Sequence, residues 1–140
     1  MAMVTICGSG KRRDEIFAVT ADLRSKGLVV LAPPLHRINQ LFDGQPNESW
    51  ELAWKGATFA HLNRIEKADI VFIVNPDGYM GPSTTLELGY AVALRKYIVA
   101  MQPDSMEMAR TILLDAVIGT QDIASACKYV ADVAGESRRW

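Results

Sequence analysis

Apolar positions recur along this chain in two alternating rhythms. Short, nearly unbroken runs occur at Val4–Cys7 (VTIC), Leu28–Ala32 (LVVLA), Ile70–Val74 (IVFIV) and Tyr97–Met101 (YIVAM). They are rich in β-branched residues and show no polar face, the pattern of strands covered on both sides in a parallel sheet. Ala116–Gly119 (AVIG) is a weaker fifth candidate. Between the runs the spacing lengthens to helical. Asp14–Lys26 carries Ile16, Phe17, Val19, Thr20 and Leu23, and Gly27 is its natural stop. Asn47–Lys67 predicts a longer helix with Asn47 and Ser49 as candidate caps. Ser83–Arg95 follows, and then Asp122–Val133, with Ile123, Ala126, Cys127, Val130 and Val133 on one stripe.

Strand and helix in alternation predict an α/β fold: a doubly wound, Rossmann- or flavodoxin-like parallel sheet of four or five strands with helices on both faces. Its crossovers are right-handed. Open sheets of this kind bind ligands beyond the carboxyl ends of their strands, where the strand order reverses. The segments CGSGKRR, PPLHR, NPDGYMGPS and QPDSM should therefore meet on one rim. Pro33–Ser49 is the one long irregular stretch, and a loop of that length in a compact domain has a function or is mobile.

Composition narrows the partners. The 140 residues, 49% hydrophobic, suit one domain with one core. The net charge of -1 lacks the basic surplus of a duplex-binding protein, so no nucleic-acid partner is expected. A small phosphorylated ligand needs only a local cluster of donors. Cys7 and Cys127 are distant in sequence, and no CxxC pair or His-rich tract points to a metal. Both read as buried, reduced thiols of a cytoplasmic protein. The start, MAMVTICGSG, lacks the features of a signal peptide, and no apolar run approaches the roughly 20 residues of a membrane span.

Candidate chemistry sits in three segments. CGSGKRRDE follows a strand and opens a helix. Gly8 and Gly10 permit close backbone approach and unusual φ angles, Ser9 offers a hydroxyl, and Lys11, Arg12 and Arg13 add cations beside a helix start. Together these form an anion site suited to phosphate. The segment matches neither GxGxxG nor the P-loop, and it reads equally as a tight turn with solvated cations. In NPDGYMGPSTTLELGYA, Pro82 suits a first helical position, Ser83 can cap, Thr84 follows, and Glu87 falls about one turn in. A carboxylate near a positive helix end stays ionised, as a nucleophile or an acceptor for sugar hydroxyls requires. The plainer reading is a favourable helix-dipole contact. Gly89 permits close packing, and Asp77 is a candidate polar contact or a turn former before Gly78. In the third segment Trp50, Trp54, Ala57, His61 and Ile65 share a helical stripe. Trp54 and His61 can stack on and hydrogen-bond a base, or simply pack in the core. His61 lies well back from the following strand and reaches the rim only if the helix runs steeply past it. His36, in the long loop, is a further base-contact candidate.

These residues resemble the nucleoside 2-deoxyribosyltransferase-like superfamily, which includes the 2'-deoxynucleoside 5'-phosphate N-hydrolases. The resemblance runs from VTICGSG through KADIVFIVNPDGYMGPSTTLELGYAVALRKYIV, and its strongest element is the glutamate of ELGYA after an AD-plus-apolar strand. It implies one domain over residues 1–140 and cleavage of an N-glycosidic bond by Glu87, through a glycosyl-enzyme intermediate resolved by water or another base. It also implies a nucleoside or nucleotide partner, 5'-phosphate binding partly through Ser9, no cofactor, and a homodimer or higher homo-oligomer; Gly81 is a further candidate substrate contact. Three positions depart from the family: Thr5 in place of a tyrosine, Gly81 in place of aspartate or serine, and His61 in place of an aspartate. These departures raise a rival reading, a nucleotide-binding or sensing module without turnover. His61 and Asp77 are the candidates for protonating the departing base. A phosphoribohydrolase loop (GGxGTxxE) fits the spacing less well, and no acidic pair after the first strand supports a receiver domain.

Overall fold

The strands Val4–Cys7 and Ile70–Ile73, paired at the middle of the sheet, are each four residues long and buried from end to end. The computed structural model describes residues 1–33, 44, 46–136 and 140. Its strands are β1 (Val4–Cys7), β2 (Val30–Leu31), β3 (Ile70–Ile73), β4 (Tyr97–Ala100) and β5 (Ala116–Val117). All pair in parallel, in the order β2-β1-β3-β4-β5. The chain builds outward from β1 to β2, then crosses back to place β3 on the other side of β1. The order therefore reverses between β1 and β3. The outer strands are shorter than their apolar runs: an edge strand has one partner, and pairing ends where that partner's register does.

A short 3-10 turn (Gly10–Arg12) leads into α1 (Arg13–Ser25). The other helices are α2 (Asn47–Lys67), α3 (Pro82–Ala93), α4 (Met108–Ile112) and α5 (Ile123–Ala134). On one face of the sheet, Val4, Ile6, Ile70 and Phe72 pack with Ile16, Val19 and Leu23 of α1 and Ala126, Cys127 and Val130 of α5. On the other, Cys7, Val71, Ile73 and Ile98 pack with Ile65 of α2 and Leu88 and Ala91 of α3. Burying each such aliphatic side chain contributes about 1.5–3 kcal/mol. Phe17, grouped with the α1 core in the sequence, is 45% exposed, and the Arg13 guanidinium lies over its ring. The Tyr90 hydroxyl of α3 donates to Glu66 of α2, which ties those two helices together. No helix among the described residues is long and apolar enough to cross a membrane.

Helix boundaries correct several expectations. α2 is preceded by Pro46 with no side-chain cap, so neither Asn47 nor Ser49 plays that part. α3 starts at Pro82 behind Gly81, again without a side-chain cap, which leaves Ser83 inside the helix. Gly89 faces open space and supports no close packing. Asp69, just before β3, accepts from Met3 N across the sheet at 2.8 Å.

The length of α2 sets the height of what it carries. Its 21 residues extend about 30 Å, whereas a four-residue strand spans about 13 Å. Because α2 runs antiparallel to the strands, its first turns overhang the carboxyl rim. This is why Leu52 and Trp54 are 70% and 47% exposed while His61 and Ile65 are buried.

Two glycines separate the effects of φ and of space. Gly27 (φ +84) and Gly78 (φ +79) both occupy the left-handed region. A Cβ on Gly27 meets nothing within 4 Å, whereas one on Gly78 would stand 2.8 Å from the Pro103 carbonyl oxygen. Gly27→Ala is expected to cost about 1 kcal/mol of unfolding free energy, and Gly78→Ala about 2–4 kcal/mol. Chemical denaturation of both variants checks this, and equal losses would contradict it.

Candidate active site

Cys7 closes β1, and its sulfur lies 3.4 Å from Nε2 of His61. The same imidazole nitrogen is 3.5 Å from Oε2 of Glu87 on α3. Three donors from three elements thus meet at the switch point. His61 arrives there by arithmetic: eight residues of helix before Asp69 rise about 12 Å, the height of β1 itself. The sequence expectation that it lies back from the rim placed it too low. Glu87 is in the second turn of α3, and the first turn holds no acidic residue. The helix dipole, which falls off within one turn, is therefore not what governs it. Its neighbours are the thiol and the imidazole. Burial, and then the charge and hydrogen bonding of Glu87, push the Cys7 thiol well above the usual range. His61 Nδ1 is buried without a hydrogen-bond partner among the described residues. The Glu87 side chain remains 18% exposed, so the cluster is open on the carboxylate's side.

The glycine-rich turn lies beside it. Ser9 caps the 3-10 turn by accepting from Lys11 N. A Cβ on Gly81 would stand 3.5 Å from the Tyr79 hydroxyl and 3.9 Å from Ser9 Oγ, which brings the β1 and β3 loops together. Lys11 Nζ is 4.9 Å from the centre of the Tyr79 ring and has no ion pair among the described residues. Arg12 is committed: it bonds Asp77 and, at 3.3 Å, Glu15. Slight burial raises the Asp77 carboxyl, but the Tyr79 backbone N–H and Arg12 outweigh it, and the net shift is downward. Gly8 and Gly10 are not at positive φ. Gly8 is held by packing instead, since a Cβ there would be 3.1 Å from both Ile16 and the Val74 carbonyl. Ser83 is exposed, and Thr84 is buried on the same side of α3 as Leu88. Trp54 lies about 10 Å further along α2 than His61 and is half exposed. His36 lies outside the described residues.

Four positioning side chains carry no motif and went unnoticed in the sequence. Buried Asn75 accepts from Met101 N (3.0 Å) and Gln102 N (3.2 Å) and donates to Gln102 O (2.9 Å), joining the ends of β3 and β4. Arg110 of α4 donates to Met80 O (3.2 Å) and to Thr85 Oγ1 (2.9 Å) and pairs with Asp104 (3.1 Å). Thr85 in turn donates to Gly81 O at 2.9 Å, so the start of α3 is fastened from both sides. A cleft of about 370 Å³ lies at the opposite, amino end of the strands. Its carboxylates Asp69 and Asp115 are engaged with the backbone N–H groups of Met3 and Ile98, a structural arrangement.

Comparison with known proteins bears on the family and the fold. A family model described as nucleoside 2-deoxyribosyltransferase matches residues 7–137. The fold is similar to that of a 2-deoxyribosyltransferase from the psychrotolerant bacterium Bacillus psychrosaccharolyticus, with TM-score 0.67 and 18% identity over 97% of this chain and 93% of that one. It is also similar to a Clostridium botulinum CMP N-glycosidase, BcmB, with TM-score 0.57 and 14% identity over 94% of this chain and 98% of that one. At these identities the likeness is one of fold. A search of curated protein sequences returned no match.

The Arg110 network makes a coupling prediction. Arg110→Met removes bonds to Met80, Thr85 and Asp104, and is expected to cost roughly 2–4 kcal/mol because a buried carboxylate loses its partner. Adding Asp104→Asn should then cost less than its effect alone, with at least about 1 kcal/mol of coupling. Denaturation of the double-mutant cycle measures this, and strict additivity would break the argument.

Proposed function

The chain belongs to the nucleoside 2-deoxyribosyltransferase family, and on that footing we propose that it cleaves the N-glycosidic bond of a nucleoside or nucleoside 5'-monophosphate with Glu87 as nucleophile. The observation that carries this reading is the partly exposed Glu87 carboxylate, held at the β1/β3 switch point by His61 and Cys7.

The chemistry follows from that placement. A Glu87 oxygen attacks C1' as the bond to the base breaks, and the electron pair of that bond leaves with the base. The transition state is oxocarbenium-like, so an ionised carboxylate stabilises it before trapping it as a glycosyl ester. Water then releases the sugar, or a second base accepts it. At 3.5 Å from Glu87, His61 orients the carboxylate. Asp77, held ionised beside Arg12, is suited to accept a bond from a sugar hydroxyl rather than to protonate the base. Lys11, with Ser9 and Gly81, supplies a free cation and a polar turn for a 5'-phosphate. Leu52, Phe59 and Leu86 are 70%, 61% and 75% exposed on α2 and α3, which supports a homo-oligomer built on that face.

One observation favours the rival reading of a binding module without turnover. Thr5 is fully buried and its hydroxyl donates to Leu31 O at 2.8 Å, so it offers nothing to a ligand.

Base release from a panel of nucleosides and monophosphates, followed by chromatography, separates the two. Wild type should release base, and Glu87→Gln should be slower by on the order of 10⁴. Equal rates would remove Glu87 from the mechanism, and binding without release by wild type would establish the module. Lys11→Ala should weaken monophosphates by about 10-fold or more while leaving nucleosides nearly unchanged. Equal weakening of both would end the phosphate assignment.

A further inference from the structure

Cys7, His61 and Glu87 carry more chemistry than a glycosyl transfer needs. A nucleophilic carboxylate requires one orienting group, and here it has an imidazole and a buried thiol. Sulfur, imidazole nitrogen and carboxylate oxygen are the three donor types that zinc takes from proteins. Around a tetrahedral ion, donors at 2.0–2.3 Å stand about 3.3–3.7 Å from one another. The separations here are 3.4 Å (Cys7–His61) and 3.5 Å (His61–Glu87), with all three donor atoms within 4.8 Å of one another.

We propose that Cys7, His61 and Glu87 form a three-donor site for a divalent cation of the zinc class, with the fourth position on the exposed side of the carboxylate. Binding displaces the thiol proton to solvent and moves no electrons. The thiolate selects zinc over magnesium or calcium, which prefer oxygen donors alone. Two donors, Cys7 and His61, are buried, and the third, Glu87, has a side chain 18% exposed. The orphaned Nδ1 of His61 sets the strength of the site. A ligating histidine usually hands its second N–H to a partner, and losing that partner costs about 10- to 100-fold in affinity. The site therefore binds zinc exchangeably rather than as a permanent structural ion. No local motif announces it, because the donors are separated by 54 and 26 residues.

The consequence rests on the function proposed above. A zinc ion on Glu87 takes the electron pair that would attack C1', so metal binding and turnover exclude one another.

Cobalt(II) titration of chelator-treated wild-type protein tests the site without reference to activity. One equivalent should bring up a near-ultraviolet thiolate-to-cobalt band and tetrahedral visible bands, and zinc should displace both. Cys7→Ser should lose the near-ultraviolet band, and Cys7→Ser and His61→Ala should each weaken zinc by about 100-fold or more in competition with a chromogenic chelator. Circular dichroism and melting check that each variant is folded, and Glu87→Gln, which changes a part-exposed side chain, should keep the band with weaker affinity. No band in wild type, or zinc affinity unchanged in both Cys7→Ser and His61→Ala, would overturn the site. Base release is measured in parallel, with chelator and with one equivalent of zinc. Release blocked by zinc and restored by chelator supports the proposal, and release that persists at saturating zinc overturns it. An intact cobalt band with no base release under any condition would sink the glycosidase reading alone.

Discussion

The in-register pairing of β1 with β3 is the constraint on which the rest of the molecule depends. Val4, Thr5, Ile6 and Cys7 lie against Ile70, Val71, Phe72 and Ile73, and all eight are buried. A strand covered on both faces has no room for unpaired polar groups along its length. Polar chemistry is therefore displaced to where the pairing stops. The last bond of the ladder runs from Val74 N to Cys7 O at 2.8 Å. One residue further, the Gly8 backbone packs against the Val74 carbonyl, and Asn75 turns across to β4. Cys7, Ser9, Asn75 and Asp77 follow one another onto the rim because the two strands end level.

How much of this was legible in the sequence depends on the reach of each interaction. β1, β3 and β4 were readable because burial on both faces leaves an unbroken apolar run. The five-residue α4 was not, since a helix that short shows no periodicity and is positioned by contacts from outside itself, those of Arg110 with Met80 and Thr85. Caps were misassigned at α2 and α3 for a related reason. Polar residues near a proline look like caps, yet here Pro46 and Gly81 occupy the boundary positions. Glu87 was singled out as a candidate through its motif. The height of His61 was computable from helix rise and strand rise, once α2 was known to end at Lys67. The approach of Cys7 to His61, across 54 residues, was not. Pairings of that separation follow from strand order, which local pattern does not encode.

Charge on the rim is sorted rather than pooled. Lys11, Arg12 and Arg13 are adjacent in sequence and read there as one cluster, but the fold assigns them separate tasks. Arg12 neutralises Asp77 and Glu15, Arg13 lies over Phe17, and Lys11 stands over Tyr79 next to Ser9 and Gly81. Among the described residues, the third has no carboxylate partner and is left for an incoming anion. A run of cations beside a glycine turn overstates the positive charge a ligand meets when carboxylates from the next loop have already claimed part of it.

The Cys7–His61–Glu87 cluster is an unfavourable arrangement for stability alone. It withdraws a carboxylate largely from water and leaves a buried imidazole nitrogen without a partner among the described residues, and both choices cost free energy that an apolar cluster would not. A fold that needed only to pack α2 and α3 against the sheet has Ile65, Leu88 and Ala91 for that purpose. Thr5 shows the contrast within the same strand: it is equally buried, yet its hydroxyl is satisfied by Leu31 O. Unpaired polar capacity at the switch point, beside fully paired polar groups two residues away, marks the place where the molecule forgoes stability for chemistry. The proposed attack on a sugar carbon and the proposed capture of a divalent cation would both draw on the Glu87 electron pair. A site with both capacities would serve one at a time, and the exposed side of the carboxylate is where the two would compete.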